Sequence, residues 1–121
     1  SKIDKAVTAK VAWTITKAGQ PSISGKAYNR QNTANAYTLK NFTGKTIQSI
    51  KVSNTGDIAT AVEVPSTAYT ADISAGTLTI DGTKSPIGTG GVGQTRYFHV
   101  ILDDDSVVKF SVNVTDVAVT P

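Results

Sequence analysis

The densest chemistry in this 121-residue chain is the run Asp103, Asp104 and Asp105, followed by Ser106. Three adjacent carboxylates repel one another, and a hard cation such as Ca²⁺ relieves that repulsion, so they are candidate calcium ligands. Calcium wants six to eight oxygens, and no Gly and Glu follow at EF-hand spacing. The competing reading is a solvated hairpin tip whose charges keep sheet edges apart. No other cofactor is indicated. His99 is the only histidine, which rules out a histidine metal cluster within one chain. It lies between Phe98 and Val100, where a structural histidine is favoured over a base. A Ser-His-Asp triad remains formally open, but no G-x-S-x-G or equivalent elbow is present. Gly88, Gly90 and Gly93 in "GTGGVG" satisfy G-x-G-x-x-G literally. A strand must precede that motif and a helix must follow it to hold a pyrophosphate. Pro86 lies just upstream and "QTRYFHVIL" downstream reads as a strand, so the match is read as an accident of a Gly-rich loop. Glu63 is the only glutamate, and no partner points to a paired-carboxylate site. The sequence supports no catalytic assignment, and the expectation is a protein that is not an enzyme.

Two sequons, "NFT" at Asn41 and "NVT" at Asn113, are glycosylation candidates if the protein is secreted by an organism that N-glycosylates. Net charge is +3, and the twelve Lys and Arg are scattered singly. That is a solvated surface and not a nucleic-acid interface. There are no cysteines, so neither disulfides nor thiol chemistry enter. No apolar run reaches the ~18 residues of a membrane span.

The elements that must carry these residues are strands. Val, Ile, Ala and Thr dominate, and no segment of ten or more residues has a helical period. Strands are expected at "AYTLKNF" (36–42), at "TIQSIKVS" (46–53) with a bulge between Ile47 and Ile50, and at "IATAVEV" (58–64), ended by Pro65. Further strands are expected around the Ala75-Gly76 turn, at "TRYFHVIL" (95–102) as a doubly covered central strand, and at 107–119 with a phase shift at Asp116. "AGQPSISGKAYNRQNTANA" reads as a connection with one short strand near Ile23. Turn signals every ~8–12 residues give an all-β single sandwich, jelly-roll or immunoglobulin-like, of seven or eight strands with no substantial helix.

The first strand is the unusual one. In "KAVTAKVAWTITK" (5–17) every second residue is apolar: Val7, Ala9, Val11, Trp13 and Ile15. Strands usually run about 5–6 residues, and this alternation is far longer. Residues 1–17 are therefore read as an N-terminal candidate donor strand and 18–121 as the sandwich body. Val7, Ala9, Val11, Trp13 and Ile15 are its subunit-interface residues. Strand addition takes affinity from main-chain bonds and register from alternate side chains. The competing reading pairs this strand within its own chain.

"IQSIKVSNTGDIATAVEV" (47–64) is a strand, an Asn-Thr-Gly-Asp turn and a strand. It resembles the hairpin of secreted prokaryotic β-sandwich modules, most of all the TasA and camelysin family of biofilm matrix proteins and their archaeal pilus and thread counterparts. The resemblance covers about eighteen residues. It implies a secreted, extracellular or cell-surface structural protein that polymerises with copies of itself by donor-strand complementation into a pilus or biofilm fibre, alongside other surface or matrix components. The chain is shorter than TasA and camelysin and lacks helical insertions. Two alternatives stay open: a binding or adhesion module of a surface protein, and a viral capsid or decoration protein.

Overall fold

The computed structural model describes residues 19–119. The proposed donor strand, with Val7, Ala9, Val11, Trp13 and Ile15, lies outside the described residues. The described chain is all-β, with nine strands in two sheets. In chain order the strands are β1 Ser22–Ser24, β2 Ala27–Asn29, β3 Asn35–Lys40, β4 Ile47–Ser53, β5 Val62–Val64, β6 Tyr69–Asp72, β7 Thr77–Ile80, β8 Thr95–Leu102 and β9 Val107–Thr115. One sheet runs β1-β3-β7-β6 and the other β2-β9-β8-β4-β5. This is the strand order of an immunoglobulin-type sandwich, in which the first strand is shared between the sheets. β2 lies parallel to β9, and every other pairing is antiparallel. No helix among the described residues is long and apolar enough to cross a membrane.

Alternation builds the core. Tyr37 and Leu39 of β3, Leu78 and Ile80 of β7, Ile50 and Val52 of β4, and Phe98, Val100 and Leu102 of β8 all point between the sheets, as do Phe110, Val112 and Val114 of β9. Aromatic rings bridge the layers. Tyr37 meets Phe110 at 5.0 Å, Phe110 stacks on Phe98 at 5.3 Å, and Phe98 meets Tyr28 of β2 at 5.7 Å. Each such pair adds ~0.5–1.5 kcal/mol beyond area burial.

Several expectations are corrected. The short strand expected near Ile23 is β1, and the connection after residue 17 also holds a second strand, β2, that was not expected. The alternation in β1–β2 covers only three residues at a time, because the chain changes sheet between them. Residues 58–60 form a 3-10 turn and not the start of a strand, with the Asp57 carboxylate accepting the Ala59 N–H at 2.9 Å. β9 ends at Thr115, and Val117 and Val119 beyond it are exposed. Asn29 explains that ending: its side chain takes the Val117 N–H and donates to the Val117 carbonyl, as a strand neighbour would. The bulge expected in β4 is present as a register irregularity between Ile47 and Ser49. β8 is central and buried on both faces at Phe98, His99 and Val100, as its doubly apolar sequence requires.

Candidate assembly groove

The site begins with Gly25. β1 belongs to the first sheet and β2 to the second, and Gly25 and Lys26 are the residues that carry the chain across. Gly25 has φ +130°, a region open to glycine and strained for other residues. The crossing passes directly over Tyr37: a Cβ on Gly25 would lie 2.7 Å from the tyrosine Cδ1. The Tyr37 hydroxyl donates to the Ala27 carbonyl at 2.7 Å and ties the start of β2 in place.

Among the described residues, the crossing leaves part of the β9 edge without a hydrogen-bonded strand partner. Backbone groups of a strand point alternately to its two sides. On β9 the even residues face β8: the Val114 N–H bonds Gln94, and the Val114 carbonyl accepts from Gly93. The odd residues face the other way: the Asn113 N–H bonds the Lys26 carbonyl, and the Thr115 carbonyl accepts from Arg30. By the same alternation the backbone groups of Val107, Lys109 and Ser111 point away from β8. β2 pairs only with Asn113, Val114 and Thr115, so among the described residues no strand forms a ladder with those three, although β1 passes close beside them.

Beside this edge lies a groove of about 400 Å³, lined by Ile23, Ser24, Gly25 and Lys26 on one wall and Tyr97, Lys109, Phe110 and Ser111 on the other. Phe110 and Ile23 make its floor apolar. Its rim is cationic and polar: Lys26 Nζ donates to Ser111 Oγ at 3.3 Å, and Lys109 Nζ donates to the Gly56 carbonyl at 3.3 Å while lying 5.9 Å from the Tyr97 ring centroid. An apolar floor beneath main-chain groups that have no ladder partner among the described residues is what a strand with one apolar face requires.

The other candidates fall elsewhere. Asp103, Asp104 and Asp105 form the β8–β9 turn, with Asp105 at φ +68°. Their carboxylates serve separate local bonds. Asp103 accepts from the Thr46 N–H, and Asp104 accepts from Ser106 N–H and Oγ. The Ser106 hydroxyl bond holds the Asp104 carboxyl below its usual range. No group of three or more His, Cys, Asp or Glu poised for a metal occurs among the described residues.

His99 is 2% exposed, with Nε2 2.8 Å from Ser53 Oγ; that oxygen also accepts the Gly56 N–H at 3.0 Å. The structure thus pairs a serine with the lone histidine, but Ser53 is only 3% exposed and faces no solvent. Burial pushes the His99 pKa down, helped by Lys109, while Asp57 opposes. The pair clamps the turn over the outer face of β8.

Gly88, Gly90 and Gly93 sit in a loop, with a 3-10 turn at Thr89–Gly91, that leads into β8 and not into a helix. Glu63 is exposed on β5. Both sequon asparagines are exposed. Asn41 stands at φ +64° and donates to the Gln20 carbonyl, and Asn113 lies on the outer face of β9.

Composition and motif reading did not find the groove. Gly25 and Phe110 are unremarkable in sequence, and only the sheet change makes them neighbours. No protein-family model matches the chain, and no curated protein matches it significantly.

Proposed function

We propose that this protein is a non-enzymatic structural subunit that assembles with copies of itself by strand addition, as an extracellular filament protein does. The observation that carries this reading is the open edge of β9 from Val107 to Ser111, set above the Ile23–Phe110 groove. A five-residue stretch spans ~17 Å at strand rise. The chain supplies a candidate ligand, since residues 5–17 alternate strictly and are separated from β1 by residues 18–21. That segment has five apolar positions, whereas an edge of five residues seats two inward side chains, opposite Val108 and Phe110. Three apolar positions are left over, and a second copy is the simplest cover for them. Burying a large aliphatic or aromatic side chain contributes ~1.5–3 kcal/mol. Association costs an estimated 4–15 kcal/mol, so a single groove gives weak pairing and repeated contacts along a polymer must add to it.

The test is the full chain against Trp13→Lys. Size-exclusion chromatography and electron microscopy of the native chain at rising concentration should reveal oligomers or filaments, and Trp13→Lys should remain monomeric with an unchanged fold by circular dichroism. A native chain that stays monomeric at every concentration would overturn the reading.

A further inference from the structure

Independently of the assembly reading, we infer that the mouth of the sandwich beside the start of β8 is a binding site for a small organic carboxylate. The Arg96 guanidinium holds the carboxylate, and the apolar body of the ligand lies against Val52, Val62, Pro86 and Ile87.

The site begins with the register of β8. Phe98, Val100 and Leu102 point between the sheets, and Arg96 is the next residue of the same alternation. It stands opposite Val112, which is fully buried in the core. Residues paired across antiparallel strands share a face. An arginine therefore occupies a core-facing position at the end of the strand, where the sandwich opens, and it is half-buried there. Among the described residues its guanidinium donates only to the carbonyl of its own neighbour Thr95, at 3.0 Å, and no carboxylate lies within ion-pair distance. Withdrawing a guanidinium from water is unfavourable unless an acceptor takes the water's place.

The chain's other arginine shows what is missing. Arg30 Nε donates to the Ile87 carbonyl at 2.9 Å, and its guanidinium pairs with the Asp116 carboxylate at 2.8 Å. Arg96 lies against the same loop, its Nε 3.4 Å from where a Cβ on Gly91 would stand. Two arginines touch one loop, and among the described residues only Arg30 has its carboxylate.

There is room for the second. A pocket of about 270 Å³ opens beside Arg96. Sites for drug-sized ligands run ~300–1,000 Å³, so this one suits a smaller molecule. Val52, Val62, Pro86 and Ile87 give it an apolar wall, and Arg96 and Asn54 are its polar side chains. Gly88 and Gly90 also line it, and the fold itself gives neither a reason to be glycine. Neither has a positive φ, and a Cβ on either would meet nothing within 4 Å. Glycine at such positions costs backbone entropy and gains no packing. What the two glycines do is keep the pocket open. One guanidinium fork matches one carboxylate in charge and in bidentate geometry. The apolar wall matches a short hydrocarbon body, which an inorganic anion lacks.

Two-dimensional NMR of the isotope-labelled full chain, titrated with isobutyrate, isobutyramide and sulfate, tests the site. Isobutyrate should shift the amides of Gly88, Gly90 and Gly91 and the Arg96 Nε–H, with the millimolar affinity expected of so few ligand atoms. Isobutyramide has the same shape without the charge and should bind at least about tenfold more weakly. Sulfate, which has charge without hydrocarbon, should also bind more weakly. Gly90→Val fills the pocket from a position where a Cβ meets nothing. It should weaken isobutyrate at least about tenfold while the circular dichroism stays that of the native chain. Arg96→Gln should abolish the saturable shifts. Absence of a saturable isobutyrate shift at these residues in the native chain would overturn the site. Equal binding of isobutyramide would overturn the role of Arg96, and equal binding of sulfate would overturn the apolar wall. A folded Gly90→Val chain that binds as tightly as the native one would remove the ligand from this pocket.

Discussion

The two flanks of the sandwich solve the same problem in opposite ways. On the β5–β6 flank the chain crosses between sheets after β5 has ended and before β6 begins. Pro65 and a 3-10 turn at Ser66–Ala68 carry it over, and Ala68 is buried beneath the crossing. β5 and β6 are only three and four residues long, and β5 carries exposed Glu63. Short, charged edges with a proline discourage further pairing. On the β1–β9 flank the crossing occurs in the middle of a strand, at Gly25. β9 is nine residues long there and β2 covers three of them. One flank is blunted and the other is left ready, and the difference lies in where along the edge the chain changes sheet.

The largest effect that would sharpen this comparison belongs to Gly25. Gly25→Ala places a Cβ against Tyr37 in a backbone region strained for alanine, and should cost about 2–4 kcal/mol in chemical denaturation. Gly88→Ala is the comparator. Gly88 has φ −86° and its Cβ would meet nothing within 4 Å, so the change should stay within about 0.5 kcal/mol. Equal costs at both positions would mean that the crossing is not held by its glycine.

The next effect is acid sensitivity of the outer wall. His99 is held in its neutral form by burial, and Lys109, which lines the groove, disfavours its charge. Lys51 and Lys109 flank it on β4 and β9, and Asp57 is the opposing charge. A histidine with a depressed folded pKa binds fewer protons folded than unfolded. Its contribution is therefore complete above the ordinary value near 6.5 and is lost as pH falls below it. Thermal melts should decline from about pH 6.5 downward, before the carboxylates titrate. His99→Gln should flatten that decline while costing about 1–3 kcal/mol at neutral pH for the disturbed Ser53 bond. A profile that keeps its slope in His99→Gln would remove His99 from the account.

How much of this was legible in sequence depends on the range of the cause. β8, with apolar residues on both faces, and β9 through Val114 announce themselves because strand alternation is a local property. The Ile47–Ser49 irregularity was visible as a phase slip for the same reason. β1 and β2 were not separable, since three residues in each sheet give no period to read. Ile58 to Thr60 mimicked a strand by alternation, but Asp57 caps a 3-10 turn there. The groove was invisible for a different reason. It joins residues 23–26 to residues 97 and 109–111, and nothing in either segment alone reports the other. The long alternation at 5–17 posed the question of what it pairs with, and it lies outside the described residues.

A smaller effect is expected on the blunted flank. Val62 is 57% exposed on β5, so Val62→Thr removes little buried surface and keeps a β-branched residue in the strand. Stability should move by no more than about 0.5 kcal/mol, and the assembly threshold should not move. A Val62→Thr chain that no longer assembles would shift the interface to the wrong flank and break the comparison.

The smallest expected effect lies in the Asp103–Asp105 turn between β8 and β9. It is the most charged feature of the sequence, and it adjoins Val107, the first residue of the open edge. Its carboxylates nevertheless point to different partners: Asp103 to Thr46, and Asp104 to Ser106 with Lys45 Nζ at 3.9 Å. Calcium would have to gather oxygens that already accept from Thr46 and Ser106. Melting curves in chelator and in millimolar calcium should therefore superimpose, and so should the assembly thresholds. Calcium that lowers the threshold without raising the melting temperature of the monomer would mean that ligands arrive from a second copy. The turn would then be a part of the interface, and the contrast between the flanks would rest on charge as well as on the position of the sheet change.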